Sequence, residues 1–276
     1  MNINIRKITI ATGGLRMIRK LLANDHQQVM EFLADEPSIN LFIIGDIEAF
    51  GYDSTFQVLW GEFSDCGDLI AVLLKYHNSF IPYAKGVFDI HGFTEIIKSF
   101  TTEPLISGKA DIVEQFEKMS VLKLGRKQET YFAECRTDGH LGKSELPIKK
   151  ATLMDVDRII KLRSTIDEFV VTDTSRDMLI QSMETKTGRT YFLEENGILT
   201  ACASTTAENS VSAMIVGVCT NKKHRQKGLA TSVLQKLILD VLNENKILCL
   251  FYDNPAAGRI YKRLGFQDIG KWTMYR

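Results

Sequence analysis

The chain has five cysteines, Cys66, Cys135, Cys202, Cys219 and Cys249, and no CxxC pair. An odd number at wide spacing argues against a disulfide framework, a zinc site or a dithiol redox motif, and implies buried thiols in a reducing cytoplasm. No apolar run approaches the roughly 20 residues that a membrane-spanning helix needs, and the N-terminal MNINIRKITIATGGLRM lacks the apolar stretch of a signal peptide. There is no charge excess either: 34 Lys and Arg face 34 Asp and Glu. Bulk attraction to nucleic acid or to a membrane surface is therefore not expected, and any basic site must be local. GxxxxGK[ST] and GxGxxG are both absent, which argues against a nucleoside triphosphate or a dinucleotide as ligand.

What is present is a globular composition, 276 residues with 45% apolar and 25% charged content, enough for one large or two modest domains. Two segments repeat at a separation of 130 residues: Ile18, Lys20, Asp25, Val29, Met30 and Leu33 match Ile148, Lys150, Asp155, Ile159, Ile160 and Arg163, and Gly67, Leu69 and Ala71 match Gly197, Leu199 and Ala201. Only Leu33 and Arg163 break the apolar match. RTDGHLGKSELP, residues 136–147, clusters turn formers without periodicity and marks the seam. The expected organisation is a possible disordered extension at 1–16, an N-terminal domain at 17–136, a linker at 137–146 and a C-terminal domain at 147–276.

In the second half, strands are expected at 147–151, 189–195, 198–206, 210–219 and 247–252, with a closing pair within 266–275. Helices are expected at 154–163, near 174–186, at 228–244 and at 255–264; the 228–244 helix carries Ala230, Val233, Leu234, Leu237, Ile238, Val241 and Leu242 at helical spacing. The first half reads similarly, with a strand and helix from Met17, strands near 57–63, 69–76, 79–84 and 129–135, and helices around 92–101 and 109–119. Hairpins with helices between them define a mixed α/β sheet.

At the strand-to-helix junction lies HRQKGLATS, residues 224–232. A helix N-terminus leaves four backbone N–H groups unpartnered and concentrates partial positive charge, so it attracts phosphate. Gly228 and Ala230 remove side-chain bulk there, while Arg225 and Lys227 add charge. Taken alone, such a turn is equally readable as basic, solvated and inert; the first half has YAKGVFDIHGF at the corresponding place and no basic-glycine turn.

Arg225, Gly228 and Ala230 fit R-x-x-G-x-G/A, and Asn254, Ala257, Tyr261, Gly265 and Phe266 fit N-x-x-A-x-x-x-Y-x-x-x-G-F. With both motifs joined by a strand, residues 146–276 resemble the GCN5-related N-acetyltransferase (GNAT) superfamily, and the whole resembles tandem-GNAT proteins with a degenerate N-terminal half. The resemblance implies the acyl-CoA N-acyltransferase fold in two halves, the second complete. It implies acetyl-CoA as co-substrate, its pyrophosphate on the backbone amides of Gln226, Lys227, Gly228, Leu229, Ala230 and Thr231, its pantetheine arm along Val218, Cys219 and Thr220, and Asn254 holding coenzyme or capping a helix. It implies Tyr261 as general acid, against the alternative of a packing aromatic, and no metal.

The expected reaction is direct acetyl transfer in a ternary complex to the amine of a small-molecule or peptide acceptor. The alternatives are a non-catalytic acyl-CoA-binding sensor or scaffold, and acyl transfer from another carrier. Glu194, Glu195 and Glu208 are candidates for the base, or solvated charges. His224 is a phosphate contact or an exposed turn residue. Phe42, Phe50, Tyr52, Phe56, Trp60, Phe80 and Tyr83 line an acceptor pocket or pack, with Asp46, Glu48 and Glu62 as attractors of a cationic amine.

Overall fold

The computed structural model describes residues 6–9, 15–142 and 145–276. The chain forms two compact units, Met1–Tyr131 with Gly270–Arg276, and Phe132–Ile269.

The first unit contains β1 (Arg6–Thr9), β2 (Leu15–Lys20), α1 (His26–Leu33), α2 (Leu41–Phe50), β3 (Gln57–Phe63), β4 (Leu69–Tyr76), β5 (Ser79–Ala84), α3 (Ile90–Lys98), β6 (Leu105–Lys109), α4 (Ala110–Val113) and most of β7 (Lys127–Cys135). The second contains β8 (Lys149–Lys150), α5 (Val156–Arg163), α6 (Ser175–Glu184), β9 (Thr190–Glu195), β10 (Ile198–Thr206), β11 (Ser212–Thr220), α7 (Leu229–Leu242), β12 (Ile247–Tyr252) and α8 (Pro255–Arg263). The chain ends in β13 (Gln267–Tyr275), whose C-terminal part pairs antiparallel with β6 inside the first unit.

The same plan is built twice. In the first unit β2, β3, β4 and β5 pair antiparallel in that order, and β5 then pairs parallel with β6 through Ser79↔Leu105 and Phe80↔Ile106. In the second, β8, β9, β10 and β11 follow the same antiparallel order, and β11 pairs parallel with β12 through Ser212↔Ile247, Ala213↔Leu248 and Met214↔Cys249. The 130-residue repeat has a structural counterpart. Asp25 accepts the Leu22 N–H (2.8 Å) ahead of α1, and Asp155 accepts the Thr152 N–H (2.9 Å) ahead of α5, each closing the N-terminal turn of its helix. Gly67 and Gly197 both take positive φ, +87° and +78°, at the hairpin turns.

Of the segment 1–16, Arg6–Thr9 pairs with β2, and residues 1–5 and 10–14 lie outside the described residues. Three features differ from the sequence reading. α2 and β6 were not foreseen. LFIIGDIEAF carries apolar residues almost all round the helix and buries Leu41, Ile43, Ile44 and Ile47, so it lacks the polar stripe by which a helix is recognised. The closing pair of strands is one strand, β13, with Gly270 inside it. Four cysteines are buried, as expected, but Cys66 is exposed.

The second unit packs both faces of its sheet. Leu229, Val233, Leu234, Leu237, Ile238 and Val241 of α7 pack with Tyr191, Leu193, Ala201, Ala203, Ala213 and Ile215. Val156, Ile159, Leu162 and Leu179 pack with Phe192, Leu199, Cys202 and Cys219 on the other face. Adjacent strand residues serve opposite cores, as the period of two requires, and each fully buried Leu or Ile contributes about 1.5–3 kcal/mol. Among the described residues no helix is long and apolar enough to cross a membrane, and no three His, Cys, Asp or Glu side chains are grouped to hold a metal ion.

One ion-pair network ties this core at its edge. Arg189 pairs with Glu208 (2.6 Å) and Glu244 (2.5 Å), and Lys246 lies 3.6 Å from Glu208. Because the Glu208 side chain is only 2% exposed, Arg189→Met should cost about 3 kcal/mol by leaving a buried carboxylate with only the longer Lys246 contact and the Thr205 hydroxyl, read as a lower urea midpoint at unchanged m-value. The Arg189 guanidinium also holds the Glu244 carboxyl down to about 2 from its ordinary 4.5. A native value below the unfolded one stabilises the fold fully above about pH 4.5, and this contribution disappears as pH falls from there toward 2. The stability difference between wild type and Arg189→Met should therefore shrink through that window.

Candidate functional site

The site begins where β11 leaves its neighbours. β10 and β11 are in register at Cys202↔Cys219 and again at Ser204↔Val216, so Gly217 and Val218 together oppose Ala203. This is a β-bulge, and Gly217 supplies its left-handed residue at φ +63°. On the other side, pairing with β12 ends at Met214↔Cys249. The C-terminal half of β11, including Val218, Cys219 and Thr220, thus has a β12-facing edge with no ladder partner among the described residues, where an extended chain can add by main-chain hydrogen bonds.

Beyond β11, the Asn221 side chain accepts the Lys223 N–H (3.1 Å) and the Asn221 carbonyl accepts the His224 N–H (2.8 Å). Arg225 is extended, Gln226 and Gly228 are left-handed at φ +66° and +73°, and α7 follows at once with 14 residues. The first backbone hydrogen bond of α7 runs from the Ser232 N–H to the Gly228 carbonyl (3.0 Å). The N–H groups of Gln226, Lys227, Gly228, Leu229, Ala230 and Thr231 have no acceptor among the described residues. Successive unpaired amides running through two left-handed residues and ending on a helix N-terminus make a concavity suited to an anion.

A Cβ built on Gly228 meets nothing within 4 Å. No neighbouring protein atom therefore requires glycine here, whereas its positive φ does; the space expected from the sequence is space for an anion beside the amides. Arg225 lies 3.4 Å from Glu168, and Lys222 lies 2.7 Å from Asp167. Both pairs are exposed and worth little, while Lys227 makes no ion pair among the described residues. His224 is half-buried rather than exposed, with Nδ1 buried and unpartnered and Nε2 4.0 Å from Glu195.

The corresponding helix start in the first unit is closed. Asp89 accepts the Gly92 N–H (2.9 Å) at the start of α3, and the Asp89 N–H donates to Glu62 (2.7 Å). Glu62 is itself buried and paired with Arg16 (3.0 Å). Two carboxylates thus stand where α7 offers bare amides, which is the physical reason this half lacks an anion seat. Glu62 is not available to attract an amine, and burial pushes the Asp46 carboxyl up to about 7. Of the first-half aromatics, Tyr52, Trp60, Phe80 and Tyr83 are core residues, whereas Phe50 is 41% exposed and stacks edge-on with Phe56.

Asn254 caps α8, its side chain accepting the Ala256 N–H (2.8 Å). α8 lies so close to β12 that a Cβ on Gly258 would come 2.4 Å from the Tyr252 ring. One turn further on, Tyr261 is half-buried between Tyr252 and Phe266, with ring centroids 6.0 Å away in each case. Its hydroxyl makes no hydrogen bond among the described residues, and burial raises its pKa above the ordinary 10. Such a phenol is an acid held in its protonated form.

Of the three carboxylates considered as bases, Glu194 and Glu208 are engaged in ion pairs. Glu194 pairs with Arg158 and Lys149, an arrangement that lowers its pKa. Glu208 belongs to the Arg189 network, and Glu195 is the one 4.0 Å from His224. Sequence reasoning missed the bulge at Gly217 and the residue beside it, Arg163. Their signals were the glycine inside the apolar run MIVGVCT and the one polar break in the internal repeat.

A mixed sheet in which an antiparallel run leads into a parallel pair that then splays defines the acyl-CoA N-acyltransferase fold, here in two copies, of which the second has the bare helix N-terminus. Residues 180–275, about a third of the chain, match the family model described as GNAT acetyltransferase. Among solved structures, the GCN5-related N-acetyltransferase from Sphaerobacter thermophilus is similar at TM-score 0.60 and 14% identity, over 94% of each chain. A tandem GNAT protein from the clavulanic acid biosynthesis pathway is similar at TM-score 0.58 and 13% identity, over 94% of this chain and 97% of that one. The GCN5-related N-acetyltransferase-like protein from Streptococcus suis is similar at TM-score 0.55 and 18% identity, over 93% and 99%. No curated protein matches the chain. Residues 180–275 thus match the GNAT acetyltransferase family model, and the chain as a whole shares its fold with these tandem structures. Family and fold together support acyl-CoA-dependent acyl transfer in general.

Proposed function

We propose that the protein is an acetyl-CoA-dependent N-acetyltransferase, with its catalytic domain at 147–276 and a degenerate copy at 17–136 that has lost its coenzyme seat. The observation that carries this reading is the run of six unpaired amides, Gln226 to Thr231, at the start of α7 beside an unpartnered strand edge. These amides would hold the diphosphate, with Arg225 and Lys227 adding charge, and Val218, Cys219 and Thr220 would pair with the pantetheine arm. Asn254 sits at the α8 cap, where its amide nitrogen is left for the coenzyme. The bound thioester supplies the acyl carbon. The acceptor nitrogen forms the new C–N bond as the C–S bond breaks, the Tyr261 hydroxyl gives its proton to the departing thiolate, and the amine proton leaves through water.

Isothermal titration should give micromolar acetyl-CoA binding, and thiol release with a panel of small amines and peptides should identify the acceptor. Absence of acetyl-CoA binding would remove the proposal. One observation favours the second reading, a coenzyme-binding sensor: Glu194 and Glu208 are tied up in ion pairs, so neither is a ready base. Coenzyme binding without thiol release from any acceptor would select it.

A further inference from the structure

We propose that Arg163 binds a carboxylate on the acceptor, so that the acceptor is an amino acid or a similar amine bearing a carboxylate close to its nucleophilic nitrogen. This rests on the reading of the β11–α7 site as the acetyl-CoA site.

Arg163 ends α5, and its guanidinium lies against the bulge. A Cβ on Gly217 would stand 2.6 Å from Nη2 and 2.9 Å from Cζ. Gly217 is therefore needed twice, for its positive φ and to leave the guanidinium room. Nη2 donates to the Ser204 hydroxyl (2.5 Å), which is itself 2.6 Å from the Thr190 hydroxyl. Nε is buried with no hydrogen-bond partner, and no carboxylate pairs with Arg163 among the described residues. Other partly buried arginines of this unit behave differently: Arg158 is paired with Glu194 and Arg189 with Glu208. A guanidinium offers five donors in a planar fork suited to a carboxylate; here it faces the Ser204 hydroxyl and the Cys202 thiol, and holding it half-buried with no carboxylate partner is unfavourable unless an anion completes it.

Packing does not require an arginine here. At the matching position of the first unit stands Leu33, fully buried, so hydrocarbon fills the equivalent place in the same fold. The cation stands beside Gly217, the residue preceding Val218, in the part of β11 beyond its last pair with β12 at Met214. It would repel an acceptor with a second positive charge and attract one with a carboxylate. It would also disfavour the ammonium form of an amine held beside it, which helps a site in which Glu194 and Glu208 are held in ion pairs.

The test uses the full chain and matched acceptors, each amino acid against its decarboxylated amine, for example phenylalanine against phenethylamine, read by thiol release. Wild type should prefer the acid by about 100-fold in kcat/KM. Arg163→Leu, which copies Leu33, should reduce that preference at least about tenfold through KM, and Arg163→Lys should recover part of it. Acetyl-CoA titration of the same proteins separates the two ideas: no binding to wild type overturns the coenzyme reading. Binding together with equal use of acids and plain amines, or loss of both by the same factor in Arg163→Leu and Arg163→Lys, overturns the assignment of Arg163 alone.

Discussion

Gly228→Asp is expected to weaken acetyl-CoA binding by about 100-fold or more while changing folding stability by no more than about 1 kcal/mol. The two parts of this expectation have separate causes. A carboxylate about 5 Å from a diphosphate, at the effective dielectric of a protein surface, repels it by about 3 kcal/mol per pair of unit charges, which is roughly two decades in affinity. For the fold the change is mild, because a Cβ at this position meets nothing within 4 Å. An aspartate at φ +73° pays about 1 kcal/mol of backbone strain, offset in part by its favourable charge at a helix N-terminus. In the first unit an aspartate already caps the matching helix, though at negative φ: Asp89 stands at the start of α3 with its carboxylate on the Gly92 amide. Titration calorimetry beside thermal unfolding measures both quantities. Unchanged affinity in a folded variant would mean that these amides do not hold the coenzyme.

The second large effect concerns the proton. Tyr261→Phe should lower kcat about 10²- to 10³-fold with acetyl-CoA affinity preserved, since general acid catalysis typically contributes that much. The ring would keep its packing between Tyr252 and Phe266. Its hydroxyl makes no hydrogen bond among the described residues, so stability should move by less than about 0.5 kcal/mol. Burial raises the phenol above its ordinary 10, which places the sign of the pH effect. The acid form is fully present at neutral pH, and kcat should decline only as pH rises past 10; this alkaline limb should be missing from the variant. A variant with wild-type kcat would leave Tyr261 as a packing aromatic.

Much of this chain can be read without coordinates, and the reasons are local. ILCLFY, LIAVLLKY and ILTACASTT became strands within the expected limits because β-branched and apolar runs bounded by turn residues have few other ways to bury themselves. The α7 helix was legible from its 3.6-residue period, and the duplication from matched residues at one separation. By contrast, α2 was hidden because an almost wholly apolar helix shows no period, and β6 because LISGK is short and ends in Gly-Lys.

The bare amides at the start of α7 were also legible, since glycine and small residues at a strand-to-helix turn are a backbone signal. The fate of the charged side chains was not. Whether Glu194 is a base or half of an ion pair depends on Arg158 reaching across from α5, and whether Arg163 is paired depends on what lies over the bulge. Sequence alone therefore determined which segments become strands and helices, and that one helix start would offer bare amides, because those follow from neighbours along the chain. Only the tertiary structure decided which charges cancel and which stay free. Pairing depends on distances of a few ångströms between residues far apart in sequence, and no local pattern encodes them.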